Sequence, residues 1–394
     1  MTNLPQGWEW KSLGEICFIT DGTHKTPNYI ETGIPFLSVK NISKGFFDLS
    51  DVKYISLEEH NKLIKRAKPE FEDILICRIG TLGKAIKISL EFEFSIFVSL
   101  GLLKPKVKII SDYLVYFLNS YFIEGWINDN KVGGGTHTAK LNLNILEKCP
   151  IALPPLKEQE RIVGILDESF AKIDESIKIL EQNLLNLDEL MQSALRKAFN
   201  PLNDDTKENY QLPQSWEWKS LEEISENISA GGDKPKNCTE SKTAKNQIPV
   251  YANGVNNNGL VGYTDKATII KPSLTISARG TIGFVCIRKE PYFPIVRLIS
   301  LIPCENILCL HYLYFCLNFF IAKGEGSSIP QLTIPKFKSL QIPLPPLKEQ
   351  EQIAKHLDFV FEKTKALKEL YTKELKDYEE LKQSLLNKAF KGEL

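Results

Sequence analysis

The chain has 394 residues, 43% hydrophobic and 25% charged, which suits two or three globular domains with real cores. Its 49 basic residues balance 49 acidic ones, which argues against a uniformly basic nucleic-acid binder but allows a division of labour between segments. There is no basic-then-apolar leader, no uncharged apolar run of about 18 residues and no CxxC pair among the eight cysteines; the expectation is a cytoplasmic protein with reduced thiols, no membrane span and no metal site.

In chain order, the first feature is LPQGWEWKSLGEI at 4–16, which returns as LPQSWEWKSLEEI at 212–224. Behind it lie short β-rich apolar runs such as DILICRI at 73–79, separated by turn signals. An aromatic-rich stretch, DYLVYFLNSYFIEGWI at 112–127, is nearly all apolar and reads as core helix rather than as a base-stacking platform.

LPPLKEQE at 153–160 marks a change of character. Pro154 and Pro155 cannot sit inside a helix but fit just before one. Glu158 and Glu160 then place negative charge in the first turns, where the helix dipole favours it. From there to Phe199 the chain has no proline and a single glycine, Gly164. Apolar residues recur at three- and four-residue steps: Leu166, Phe170, Ile173, Ile177, Leu180, Leu184, Leu187, Met191, Ala194 and Ala198. That is a heptad seam. Asn200-Pro201 ends it, and the polar stretch 203–210 reads as linker.

The second half repeats the plan. SLTISAR at 273–279 and NGVNNNG at 253–259 supply strand and turn signals, and LHYLYFCLNFFIA at 310–322 a core helix. LPPLKEQE recurs at 344–351 and opens a rougher stripe through Leu357, Phe361, Leu367, Tyr371, Leu375, Tyr378, Leu381 and Leu385. From Leu153 to Phe199 the two copies are offset by a constant 191 residues; near their starts the offset is 208. The first copy therefore holds 17 extra residues in its interior, while the ends of the copies match. This is a two-copy duplication, not a solenoid.

The expected fold is α+β, with mixed α/β domains at 1–152 and 212–343, helices at 153–200 and 344–394, and a linker at 201–211. The net charges of these segments are +1 for 1–152, −5 for 153–211, +4 for 212–343 and zero for 344–394. Roughly 43 residues at 1.5 Å each give rods of about 64 Å. Each seam can pack on its own domain, or the rods can pair; matched lengths and sustained spacing favour pairing. Two-fold symmetry between the copies would make the rods antiparallel, an antiparallel coiled coil in a pseudo-two-fold dumbbell.

No motif for catalysis appears. GTLGK at 80–84 has the wrong spacing for a phosphate loop, no GxGxxG follows a strand, and no Asn-Pro-Pro-Tyr or Asp-Pro-Pro-Tyr tetrapeptide is present. The five histidines never pair at metal spacing. Three glycine-bearing loops do recur. DGTHKTP (Thr23, His24, Lys25) faces AGGDKPK (Lys234, Lys236). RIGTLGK (Arg78, Thr81, Lys84) faces ARGTIG (Arg279, Thr281), with a one-residue slip between the arginines. GGGTHTAKL (Thr136, His137, Lys140) faces GEGSSIPQL (Ser327, Gln331). Glycine lets backbone amides approach phosphate, hydroxyls bond phosphate or base edges, and arginine forks onto guanine. Such loops also serve as ordinary turns, so contact with DNA and a purely structural role both stand at this point.

A domain that opens LPxxWEWxxL, carries DGTHxTP and GTxG loops and closes with PLPPLxEQ into a long helix resembles the specificity subunit of type I restriction–modification enzymes. The resemblance spans essentially the whole chain in two half-repeats. It implies that each domain is a target recognition domain reading half of a split double-stranded DNA site. It further implies that the helices set the gap and dock two modification subunits, which bind S-adenosylmethionine and methylate adenine, and that restriction subunits add ATP- and Mg-dependent translocation and cleavage. This chain would then hold no cofactor and catalyse nothing. The competing expectations are a dumbbell scaffold that binds only proteins, and a methyltransferase fragment with divergent motifs.

Overall fold

The structure is a computed structural model that describes residues 4–134, 139–202, 210–321, 324–325 and 332–394. It divides into two compact units, residues 1–180 with 373–394, and residues 181–372. Each long helix therefore contributes one end to each unit.

The two units share one topology. The first has a four-stranded antiparallel sheet in the order Cys17–Asp21, Leu100–Pro105, Ile74–Cys77, Ala85–Lys87. Beside it, Ile34–Leu37 pairs antiparallel with Lys53–Ile55 and parallel with Ser95–Ile96. The second unit repeats both sheets: Ser225–Ala230, Ile299–Pro303, Ser273–Ile276, Val285–Arg288, and Ile248–Tyr251 between Leu260–Thr264 and Phe293–Pro294. The inner strands Ile74–Cys77 and Ser273–Ile276 are buried along their whole length; the first is accordingly apolar throughout, while in the second the buried Ser273 and Thr275 hydroxyls are bonded to Tyr292 Oη (2.9 Å) and Arg288 Nε (3.0 Å).

Within each copy the opening and closing segments pair with each other. Glu9–Ser12 runs antiparallel to Pro150–Leu153, with Trp10 opposite Ala152. Glu217–Ser220 does the same with Gln341–Leu344, placing Trp218 opposite Pro343. WEWKSL and the strand that leads into LPPLKEQE thus close each domain as one ribbon, and the difference in length between the copies falls in the interior.

LPPLKEQE owes its repetition to a buried glutamine. The Gln159 carboxamide donates to Pro154 O (2.8 Å) and accepts from Ile110 N (3.0 Å). Gln350 donates to Pro345 O (2.8 Å) and Ile307 O (2.9 Å) and accepts from Cys309 N (2.9 Å). Ile110 and Cys309 are the residues immediately before the core helices Ser111–Leu118 and Leu310–Phe320. Each glutamine therefore joins the start of a long helix to the start of the helix it packs on, and satisfies backbone groups that neither helix can satisfy alone. Tyr113 and Tyr312 add hydroxyl bonds to Ala152 O (2.5 Å) and Pro343 O (2.6 Å).

The long helices run Leu156–Phe199 and Leu347–Lys391. In each unit they pair antiparallel. In the first, Asp174 bonds Lys382, Lys382 also lies 5.9 Å from the Phe170 ring centre, and Arg161 donates to Leu394 O (2.9 Å). In the second, Asp188 bonds Lys368, while Leu195 and Phe199 share a core with Ala354 and Leu357. Of the seam residues, Leu166, Ile173, Leu187 and Leu357 are buried; Phe170, Ile177, Leu184, Phe361, Leu375, Tyr378 and Leu385 are half-buried. Leu367 and Leu381, counted in the second stripe, are instead exposed. Thr364 is buried in that helix, because its hydroxyl bonds back to Val360 O (2.9 Å) and leaves a methyl to pack.

The helix ends are sunk into the domains. Ile162, Leu166, Leu386, Ala389 and Phe390 belong to the core formed by Ile74, Ile76, Leu103, Tyr113, Leu114 and Phe117. The aromatic stretch 112–127 forms two helices, Ser111–Leu118 and Tyr121–Asn130, not one; the break falls at Asn119-Ser120, where Asn119 Nδ2 bonds Val115 O (3.0 Å) and Ser120 Oγ bonds Phe117 O (2.7 Å). All eight cysteines are free thiols, and burial pushes Cys17, Cys77 and Cys149 up to about 12. Among the described residues no helix is long and apolar enough to cross a membrane, and no cluster of three or more His, Cys, Asp or Glu could hold a metal.

Candidate nucleic-acid interface

In the first unit the recurrent loops meet at one end of the four-stranded sheet, around a buried carboxylate. Asp21 ends its strand 1% exposed. Its oxygens take bonds from Arg66 Nη2 and Arg78 Nη1 (2.5 Å for the latter), and His24 Nε2 lies 3.1 Å away. Burial pushes the Asp21 carboxyl up, but the hydrogen bonds and charges of Arg66 and Arg78 outweigh it and hold it below the ordinary range. Arg78 is itself only 7% exposed and continues the network: its Nε donates to Leu141 O (2.9 Å), its backbone N–H to Ser99 O (2.8 Å), and its carbonyl accepts from Leu141 N. One ion pair thus ties together the loops at 21–25, 78–84, 98–99 and 139–141.

Arg78, a candidate DNA contact by its place beside the GTxG loop, has its guanidinium bonded to internal acceptors. The backbone bonds fix the equivalences. Leu141 N donates to Arg78 O as Leu332 N donates to Ala278 O, and Gly83 N to Cys77 O as Gly283 N to Ser277 O. Arg78 therefore corresponds to Ala278, and the exposed Arg279 to Ile79. The sheet registers pair Asp21 with Gly101 and Ala230 with Ile299. A Cβ at Gly101 would stand 2.9 Å from Arg78 Cδ. The second unit therefore has Ala230, Ala278 and Ile299 in place of Asp21, Arg78 and Gly101: Ala278 and Ile299 are buried in one apolar core, Ala230 is exposed, and the ion pair is gone.

The remaining candidates fall into three groups. His24, Lys25, Thr81, Lys140, Lys234, Lys236 and Arg279 are exposed. Thr23 is half-buried, with its hydroxyl spent on the turn to Lys25, and Thr281 is half-buried. Lys84 bends away over Gly45 and lines a cleft of about 480 Å³ with Gly80, Asn119, Lys131 and Gln383. Thr136, His137, Ser327 and Gln331 lie outside the described residues. The glycines split as well. At Gly22 a Cβ would sit 2.0 Å from Ile96 O and at Gly231 2.6 Å from Pro294 C, so these serve close approach of the chain to itself. At Gly80 and Gly280, with φ 80° and 77°, a Cβ would meet nothing within 4 Å among the described residues, so here it is the left-handed backbone that calls for glycine.

Sequence reasoning passed over Asp21 and Arg66, although Asp21 stands inside DGTH. The one signal for it was the loss of the acid at the same point of the second copy, together with the loss of the arginine.

Two copies of one α/β fold, each presenting a polar loop face and each closed onto paired helices, define a tandem recognition protein. The sequence profile of the type I restriction modification DNA specificity domain matches residues 5–185 and 213–377. A Mycoplasma pneumoniae protein named as a type I specificity subunit is 30% identical over 68% of this chain and 69% of its own. The EcoKI specificity subunit of Escherichia coli K12 is 24% identical over 99% of this chain and 90% of its own. In fold, the chain matches a solved type I restriction–modification component over the full length of both (TM-score 0.81, 21% identity) and the HsdS subunit of Thermoanaerobacter tengcongensis over 100% and 99% (TM-score 0.61, 21% identity). The chain belongs to the type I restriction–modification DNA specificity family. Its function is DNA sequence recognition within such a system.

Proposed function

We propose that each unit reads one half of an asymmetric, bipartite DNA site, with residues 1–152 and 212–343 as the two target recognition domains. The observation that carries this reading is the pairing of one topology with two different loop faces. The first face is built round Asp21–Arg78; the second lacks that pair and exposes Lys234, Lys236 and Arg279. A shared scaffold places each face similarly, and unlike faces select unlike bases. The helices at 153–200 and 344–394 set the spacer and dock two modification subunits. S-adenosylmethionine, ATP and Mg belong to partner modification and restriction subunits, and this chain contributes recognition without catalysis. Half-site centres about one helical turn apart, roughly 10 bp, let both units reach one duplex.

Mapping methylated adenines in DNA from cells that express the complete enzyme tests this directly. The expected result is one motif of two different half-sequences separated by an unread gap. A palindromic or uninterrupted motif would overturn the assignment of one half-site to each unit.

A further inference from the structure

Both units carry a two-residue turn just before the central strand of the sheet, and the ends of the turn are fixed alike. Phe97 N donates to Leu37 O and Leu100 N to Phe97 O in the first unit; Ile295 N donates to Tyr251 O and Leu298 N to Ile295 O in the second. Val98–Ser99 therefore corresponds to Val296–Arg297, and by the same register Val39 to Asn253.

The turns are built oppositely. In the first unit Ser99 points inward. It is buried, its hydroxyl accepts from Val39 N (3.1 Å) and its carbonyl from Arg78 N (2.8 Å), and neither residue has a positive φ. In the second, Val296 and Arg297 have φ of 51° and 60° and both are exposed. The left-handed region is costly for an ordinary residue and more so for a β-branched one. Four bonds hold the chain there. Val296 N donates to Gly232 O (2.8 Å) and Arg297 N to Gly231 O (3.2 Å). Asn253 Nδ2 donates to Val296 O (2.6 Å) while its Oδ1 accepts from Ala278 N (3.1 Å). Asn253 thus takes the N–H that a backbone carbonyl takes in the first unit, which frees the turn to flip. The flip leaves Arg297 exposed beside the Gly231–Gly232 loop. Strain of this kind persists only where the surroundings over-determine it, and it gathers at functional positions.

We propose that the Val296–Arg297 turn is a specificity element of the second unit: Arg297 reads a base edge with its guanidinium fork, and Asn253 is the positioning residue that holds the turn left-handed. This rests on the DNA-recognition reading above and adds to it a residue that sequence pattern did not single out.

The test uses the complete enzyme with each position of both half-sites randomised in turn, and scores methylation. Arg297→Ala lowers discrimination at one position of one half-site about 10- to 100-fold and leaves the other half-site unchanged. Arg297→Lys relaxes the same position while the salt dependence of binding stays near the parent's, since charge is kept and the fork is lost. Asn253→Ala relaxes that position too, although it leaves Arg297 in place. A uniform loss over all positions, or full discrimination retained in Arg297→Ala, overturns the proposal; because Arg297 is exposed, its variants fold even if Asn253→Ala does not. A parent enzyme with no sequence preference at all would instead sink the recognition reading itself, a result distinct from either.

Discussion

At the scale of single residues, Asp21 and Arg78 are the exchange that most separates the two units. A buried ion pair is stable only while both partners remain, because removing one leaves a charge in a poorly solvated place. Arg78→Ala or Asp21→Ala alone should cost the first unit about 3 kcal/mol, near the low end for a buried pair because Arg66 or the Leu141 carbonyl still compensates in part. In the second unit Ala278 and Ile299 fill the buried part of the site without charge. The triple variant Asp21→Ala, Arg78→Ala, Gly101→Ile should therefore recover to within about 1 kcal/mol of the parent. Urea unfolding of the four proteins checks this, and a triple variant no better than the singles would show that the units are not interchangeable here. The pair also has a pH signature. Because the folded carboxyl titrates below its ordinary value near 3.9, its contribution is fully present above that value and is lost as pH falls through the lowered one. Below about pH 4 the parent should lose stability more steeply than the triple variant.

At the scale of elements, the helices were the most legible part of the sequence. Proline before, acid in the first turn, an unbroken seam and Asn-Pro after are local signals, and the helix begins at Leu156 and stops at Phe199 as those signals dictate. Two elements escaped for a physical reason. Leu367 and Leu381 match the spacing of the seam but face solvent, because spacing alone does not say which stripe a partner covers. Gln159 and Gln350 sit in a helix start that reads as polar surface, yet are 1% and 0% exposed, since their partners come from a helix some 40 to 50 residues away. Replacing either by leucine keeps the volume and removes every bond. Gln159→Leu and Gln350→Leu should each cost about 3 kcal/mol, the penalty of leaving the Ile110 or Cys309 N–H and the proline carbonyl buried without partners. Gln350, with three such bonds against two, should be the costlier. Loss below about 1 kcal/mol by urea unfolding would mean that water replaces the carboxamide.

At the scale of the whole molecule, duplication was legible because the segments that close each domain and open each long helix are held to nearly the same sequence in both copies. The loop faces were not legible to the same degree. Glycine, threonine and lysine at a turn say that something comes near; only the register of strands far apart in the chain shows that Arg78 matches Ala278 and that Arg279 is the outward arginine. On the proposed reading the division of labour between faces and helices makes one further outcome calculable. Four residues inserted near Leu187 and four near Lys368, which lies opposite through its bond to Asp188, keep the antiparallel register. They add about 6 Å of helix and turn the seam by about 40°, a shift that paired stripes tolerate. At about 3.4 Å per base pair the methylated adenines should move apart by about two base pairs. The half-site sequences should stay as they were, because no loop residue has changed. A different half-site sequence, or an unchanged gap with full methylation, would show that spacing is set elsewhere than in the paired helices.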